Sequence, residues 1–361
     1  MRRWPRKESV MTKTNSGNFF EDFRLGQDIR HATPRTVTEG DVALYTALYG
    51  PRFAFTSSAE FARSLGLPRA PVDDLAAFHV VFGKTVPDVS LNAVANLGYA
   101  GGRFGVPVMA GDTLTTSSTV IGLKENSNKQ TGVVYVRSTG TNQKGEMVVD
   151  YVRWVMVRKR DVAAVVAEEK VPDLPGSVAA ADLVIPAGLH AAKYDTVLAG
   201  SPHLWDDYAV GEKIDHVDGT TIEEAEHMMA TRLWQNTAKV HFNQHTEGQG
   251  RFGRRLIYGG HIISIARALS FNGLGNAFKI VAINGGRHVN PTFAGDTIYA
   301  WSDVLEKLEI PGRTDIGALR LRLVALKNQS AAGFTLKNAE GKDDPAVVLD
   351  FDYTVLMPRR G

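Results

Sequence analysis

Residues 235–245 read QNTAKVHFNQH. Two histidines and two asparagines fall in this stretch, and no carboxylate does. Imidazole titrates closer to neutral pH than any other unperturbed side chain, which makes His241 a candidate general base. Asn236 precedes it but cannot serve as the acidic partner such a base usually has. A polar histidine on a loop is the plain alternative. Downstream, Arg251, Arg254 and Arg255 form a basic cluster that suits either phosphate groups or solvent. His241 and His245 have no acidic ligand at metal-binding spacing, and the sequence contains neither G-x-G-x-x-G nor a P-loop. Neither a metal nor a cofactor is expected.

These residues must be positioned by a chain of 361, which by length suggests two domains. Hydrophobic residues make up 43% and charged residues 22%, as in a soluble globular protein. The formal charge is only +2. That argues against capture of nucleic acid by a broad basic field, but it allows a local pocket for a phosphate-bearing ligand. Cysteine is absent, which removes disulfides, thiolate catalysis and cysteine-bound zinc and fits a reducing cytoplasm. No apolar run approaches the roughly 20 residues that span a bilayer, so no membrane partner is expected. The opening MRRWPRKESV is basic but has no apolar stretch behind it, so it is no secretory signal. Met11 begins a more ordinary start, and residues 1–18 are expected to be a disordered extension.

The chain repeats itself. FFEDFRLGQDIRH (19–31) resembles HLWDDYAVGEKIDH (203–216). Thr36-Val-Thr-Glu39 recurs as Thr221-Ile-Glu-Glu224, and both read as capping boxes at a helix start. Gly101-Gly-Arg103 recurs as Gly285-Gly-Arg287, an offset of 184 (287 − 103). Ala110-Gly-Asp-Thr113 recurs as Ala294-Gly-Asp-Thr297. Asp112 and Asp296 read as turn residues, and His31 and His216, present in both copies, as structural. Each copy then carries an apolar helix, near 74–83 and 259–269, followed by long β segments. VVYVRST and MVVDYVRWVMV flank the turn Asn142–Gly145 as a hairpin. Leu319, Leu321 and Leu323 alternate with Arg320 and Arg322, which marks a half-buried antiparallel strand. A helix on one face of such a sheet gives an α+β layout. Residues 161–202 break both periodicities and read as a linker.

RFGRRLIYGGHIISIA (251–266) followed by NPTFAGDTIYA (290–300) resembles the MaoC-type hydratases, whose domain is the hot-dog fold. That family reads G-D-x-N-P-I-H, then F-G-x-P-I-x-H-G, then P-x-x-x-G-D-T-L. The duplication resembles its double hot-dog members. The resemblance implies two tandem hot-dog domains, each an antiparallel sheet wrapped on a central helix. Residues 19–160 would be a degenerate copy and 203–361 the catalytic one. In the second copy His241 keeps the motif histidine, Asn236 stands at the catalytic Asp position, and Gly259 keeps the oxyanion glycine, with Tyr258 in place of the preceding His. In the first copy Thr56, Pro51 and Leu75 stand at those three positions. It would therefore complete the cavity and accommodate the acyl group.

The resemblance implies hydration of an enoyl-CoA with no cofactor beyond the CoA of the substrate. Family members of this kind often form homodimers. FGKTVPD, NLGYAGGRFG, WDDYAVGEKIDHVDG and VLDFDYTVLMPRRG are most similar to members acting on a dicarboxylic substrate. Reversible hydration of mesaconyl-C1-CoA to β-methylmalyl-CoA is thus expected, in the ethylmalonyl-CoA pathway or related C2 assimilation. That substrate has its own carboxylate on the carbon that water attacks. An Asp there would put two anions in one site, so Asn236 fits a dicarboxylic acyl-CoA. Arg103 and Arg287 are candidates to bind the substrate carboxylate, and Arg251 and Arg254 to bind CoA phosphates. Three other readings compete: a hydratase of broad acyl range, a thioesterase, and a non-catalytic acyl-CoA-binding protein.

Overall fold

The structure, a computed structural model, describes residues 13–165 and 168–360. The first copy supplies β1 (Asp28–Thr36), β2 (Ala93–Phe104), β3 (Thr113–Glu125), β4 (Thr131–Thr141) and β5 (Met147–Arg158). The second supplies β6 (Lys213–Thr221), β7 (Lys279–His288), β8 (Thr297–Glu309), β9 (Ile316–Lys327) and β10 (Val347–Pro358). All ten strands form one antiparallel sheet in the order β1-β3-β4-β5-β2-β7-β10-β9-β8-β6. The order reads the same from either end once each strand is matched to its repeat. The halves meet where β2 pairs with β7, with Tyr99 opposite Gly286 and Gly102 opposite Ile283. The repeated Gly-Gly-Arg is therefore the seam. A side chain at Gly102 would meet the Ile283 Cβ at 2.9 Å.

Four helices matter here: α1 (Glu39–Tyr49), α2 (Asp74–Thr85), α3 (Glu224–Leu233) and α4 (Gly259–Leu269). The central pair, α2 and α4, packs on one face of the sheet in a core that both copies share. In that core Leu75, Phe78 and Phe82 lie with Ile262, Ile263, Leu319, Leu321 and Leu323. The alternation in β9 has the expected result. Its leucines face the helices, while Arg320 and Arg322 pair with Asp352 and Asp350 on the other side. This is the hot-dog arrangement, built twice.

The linker straps that other side. Lys170 bridges Leu123, Val178 donates its N–H to the Asn284 side chain at 2.9 Å, and Leu183 and Leu189 are buried with Val281 and Ala282. The recurring histidines are structural: His31 bonds Asp88 and Ser118, and His216 bonds Asn272 and Ser302. Asp112 and Asp296 close turns by accepting from Met109 and Phe293.

The expected capping boxes are not formed. Thr36 and Thr221 still belong to strands, where they bond Thr113 and Thr297 across the sheet. In the first copy the cap lies two residues later, between Thr38 and Asp41, and in the second Glu223 caps nothing. The strand outcompeted the helix start because the cross-strand threonine pair satisfies the hydroxyl first. Residues 1–12 of the expected extension lie outside the described residues. Ser16 and Asn18 are held through their carbonyls by Asn92. Among the described residues no helix is long and apolar enough to cross a membrane.

Candidate active site

After α3 the chain turns through Trp234 and Gln235, which takes a left-handed φ of 53°. A single helical turn, Lys239–Phe242, then carries His241. Four residues do not hold a helix by themselves, so this turn is held from both sides. The side-chain oxygen of Asn236 accepts the N–H of Ala238 at 3.0 Å, a cap on the turn. On the other side Leu256 donates its N–H to Val240 at 3.0 Å. The Nδ1 of His241 donates to the Leu256 carbonyl at 2.9 Å. A carbonyl only accepts, so Nδ1 carries the proton and Nε2 keeps its lone pair. That is the tautomer a base requires. Asn236 is buried, and with its oxygen used in the cap its amide nitrogen remains as a donor.

Tyr258 stands edge-on to the His241 ring, 5.7 Å between centroids, and its hydroxyl meets Nδ1 of His79 at 3.3 Å. Gly259 follows as the first residue of α4. A helix start leaves its N–H groups without intrahelical acceptors, and Tyr258 at the cap position offers no side-chain acceptor. A methyl group on Gly259 would lie 2.4 Å from Cε1 and Nε2 of His288, the last residue of β7. The His288 ring thus fills the space a side chain would need. Its Nε2 in turn meets the hydroxyl of Tyr99, from β2 across the seam, at 3.2 Å.

Burial and mutual proximity keep this group of imidazoles neutral. Burial lowers His241 to about 4. His288 is lowered to about 4 by burial and then by His241, and His227 to about 4 for the same two reasons. His261 falls to about 3 by burial and then by His227, and His79 to about 3 by burial and then by His261. His261 is packed at the interface of the copies, with its Nδ1 3.0 Å from the Tyr49 hydroxyl. A neutral His241 beside an uncapped helix start can take a proton from water while backbone N–H groups meet the negative charge that develops.

Gly259→Ala should lower kcat about 10²-fold or more, because the methyl group must push His288 aside and shift the helix start. Melting temperature and kcat measured together would check this. A variant as active as the parent would show that the close approach at Gly259 is not needed.

The sequence profile of the mesaconyl-CoA hydratase family matches residues 7–338. The chain belongs to the mesaconyl-CoA hydratase family. It is 70% identical over 352 residues to the beta-methylmalyl-CoA dehydratase of Chloroflexus aurantiacus, covering 98% of this chain and 100% of that one. It is 65% identical over 349 residues to the mesaconyl-CoA hydratase of Cereibacter sphaeroides, covering 96% and 100%. The crystal structure of a putative MaoC domain dehydratase from Chloroflexus aurantiacus matches with a TM-score of 0.95 at 70% identity, over 97% of this chain and 100% of that one.

Not every residue expected at the site of this mesaconyl-CoA hydratase family member is brought there. The His241 ring packs on Tyr258, the residue before Gly259, and Asn236 sits at the start of the His241 turn. Arg287 is not brought there, because it is held by Asp343 and Asp350 on the strap side of the sheet. Arg103 precedes Phe104, whose ring packs in the helix-side core, so alternation turns Arg103 to the strap side as well. Strand periodicity thus puts both Gly-Gly-Arg arginines on the face of the sheet away from the helices.

Arg251 and Arg254 are exposed on the loop after His241. The Arg254 guanidinium lies 4.1 Å over Phe293, Arg251 lies 5.1 Å over Phe252, and the two phenyl rings pack edge to face at 5.4 Å. Arg255 instead pairs with Glu224.

His288, Tyr99 and Tyr258 were not singled out by function from the sequence. A signal for His288 existed: Gly101-Gly-Arg-Phe104 recurs as Gly285-Gly-Arg-His288, so one residue changes type inside an otherwise identical block.

Proposed function

We propose that the protein is a hydro-lyase that reversibly adds water to mesaconyl-C1-CoA, giving β-methylmalyl-CoA. The observation that carries this is a histidine with a free Nε2 whose ring packs on Tyr258, the residue that precedes an uncapped glycine helix start. The names of the 70% and 65% identical relatives support the substrate. Nε2 of His241 takes a proton from water as the oxygen attacks the β-carbon. The double-bond electrons move onto the thioester oxygen, where the Gly259 N–H and the positive end of α4 stabilise them. The proton held by His241 then passes to the α-carbon. The exposed Arg251, Phe252 and Arg254, backed by the buried Phe293, suit the CoA portion, since arginines bind phosphate and aromatic faces stack adenine.

The test is direct. Purified protein is mixed with mesaconyl-C1-CoA, with crotonyl-CoA in parallel, and the loss of enoyl-thioester absorbance is followed. Turnover of crotonyl-CoA without mesaconyl-C1-CoA would overturn the substrate assignment.

Asn236→Asp isolates the charge at this position, because a carboxylate can still accept the Ala238 N–H and cap the turn. The variant should lose about tenfold or more in kcat/KM for mesaconyl-C1-CoA, whose own carboxylate it would repel, and gain on crotonyl-CoA. Unchanged kcat/KM on both substrates would refute the charge argument.

A further inference from the structure

We propose that His288 is a catalytic residue of this reaction: a neutral imidazole that donates a hydrogen bond from Nδ1 to the thioester oxygen beside the Gly259 N–H. The inference rests on the assignment of His241 and Gly259 above and adds a second side-chain donor to it.

Three observations place the donor there. The nitrogen-bearing edge of the ring faces Gly259, with Nε2 2.4 Å and Nδ1 2.7 Å from where a Cβ on that residue would stand. A group that bonds the Gly259 N–H therefore sits beside this imidazole. Next, Nε2 is already engaged by the Tyr99 hydroxyl at 3.2 Å. Burial pushes that phenol above its usual value, so it keeps its proton and can donate it to Nε2. With the hydroxyl as donor, the imidazole proton lies on Nδ1, the nitrogen left free for a ligand. Finally, the repeat supplies a contrast. The first copy, which lacks the histidine and the glycine of the motif, has Phe104 where the second has His288. A ring is kept for packing in both copies, but nitrogen appears only beside the base.

The chemistry favours a neutral donor. Burial and His241 hold His288 near 4, so it enters the reaction uncharged. A neutral imidazole can polarise a carbonyl without taking part in the proton transfer. Atoms then balance without it. Water loses a proton to Nε2 of His241, the C–O bond forms at the β-carbon, and the π electrons reach the thioester oxygen. The same proton moves from His241 to the α-carbon as the carbonyl reforms. His288 keeps its proton throughout. Tyr99 belongs to β2, so the degenerate copy would serve the chemistry by fixing this tautomer.

The test compares His288→Phe and His288→Leu, which fill the space without a donor, with His288→Asn, whose amide nitrogen stands near the position of Nδ1. Both donor-free variants should lose about 10²–10³ in kcat with KM changed less than about threefold. His288→Asn should recover at least about tenfold of that loss, and Tyr99→Phe should lose about tenfold. The carbonyl stretch of bound methylsuccinyl-CoA, a saturated analogue, should be lowered less in His288→Leu than in the parent. Donor-free variants within about threefold of parental kcat, or a carbonyl stretch unmoved by the substitution, would overturn the proposal. If only one donor-free variant folds, it carries the comparison. His241→Ala is run alongside. An inactive His241→Ala with an active His288→Phe overturns only the role of His288, whereas an active His241→Ala overturns the site itself.

Discussion

His241→Ala should lower kcat on mesaconyl-C1-CoA by about 10³-fold while leaving the melting temperature close to the parental value. General base catalysis by a placed imidazole is commonly worth about 10²–10⁴ in rate. Asn236, at the position of the family's carboxylate, cannot take over: it spends its oxygen on the Ala238 N–H, and an amide cannot accept a proton at neutral pH. Stability should change little, because His241 rides on an outer turn and makes one side-chain hydrogen bond, to the Leu256 carbonyl. The pH dependence sharpens the expectation. A base must be neutral to act, and burial has moved His241 from 6.5 to about 4. Its activity is therefore fully present at pH 6.5 and would be lost only as pH falls through about 4. Plots of kcat/KM against pH should show no titration near 6.5. A clear single-proton limb there would mean that the essential base is not this histidine.

The fold was largely legible because the duplication is. Repeated blocks at an offset of 185 (216 − 31) and then 184 (287 − 103) gave the tandem architecture, and the leucine–arginine alternation of residues 319–323 assigned the faces of β9 correctly. The proposed site is local in sequence: Asn236, His241 and Gly259 lie within 23 positions of one another (259 − 236), in a segment the repeat sets apart. What failed was anything that depended on which way β2 and β7 face beside their bulges against β5 and β10. Arg103 and Arg287 sit in the most conspicuous repeated motif, yet that motif repeats because two glycine-bearing strands must approach each other there. The arginines point away from the helices, and Arg287 is paired with acids. His288, one residue further along the same strand, points inward. Tyr99 could not have been linked to it without knowing that β2 and β7 are neighbours, a contact between residues 189 positions apart. The capping boxes failed for a related reason, since a cross-strand threonine partner cannot be read from local sequence.

The same histidines that keep the site neutral should make the protein acid-labile, with cooperative unfolding near pH 5. Six of ten histidines are held low in the native state: His79 and His261 at about 3, and His216, His227, His241 and His288 at about 4, in each case chiefly by burial. An unfolded chain returns each to about 6.5 and so binds more protons between these limits. The sign follows: this stability is present above 6.5 and is lost as pH falls toward 4. At pH 5 each such histidine costs about 2 kcal/mol relative to pH 7, since one unit is worth about 1.4 kcal/mol. Several such losses together are large against the marginal stability of a typical domain. The ion-paired carboxylates with lowered values, such as Asp315 at about 2, add a loss of the same sign, but only at lower pH. Unfolding should therefore precede the titration of His241, so that activity stays flat with falling pH and then ends with the fold. Circular dichroism and kcat/KM measured on the same pH series should fall together, and a native spectrum at pH 4.5 would sink the idea. His227 offers the control. Its ring nitrogens meet no partner among the described residues, and the first copy has Val42 at the matching position. His227→Val should therefore move the unfolding midpoint to lower pH, because it removes a proton acceptor that only the unfolded chain can use.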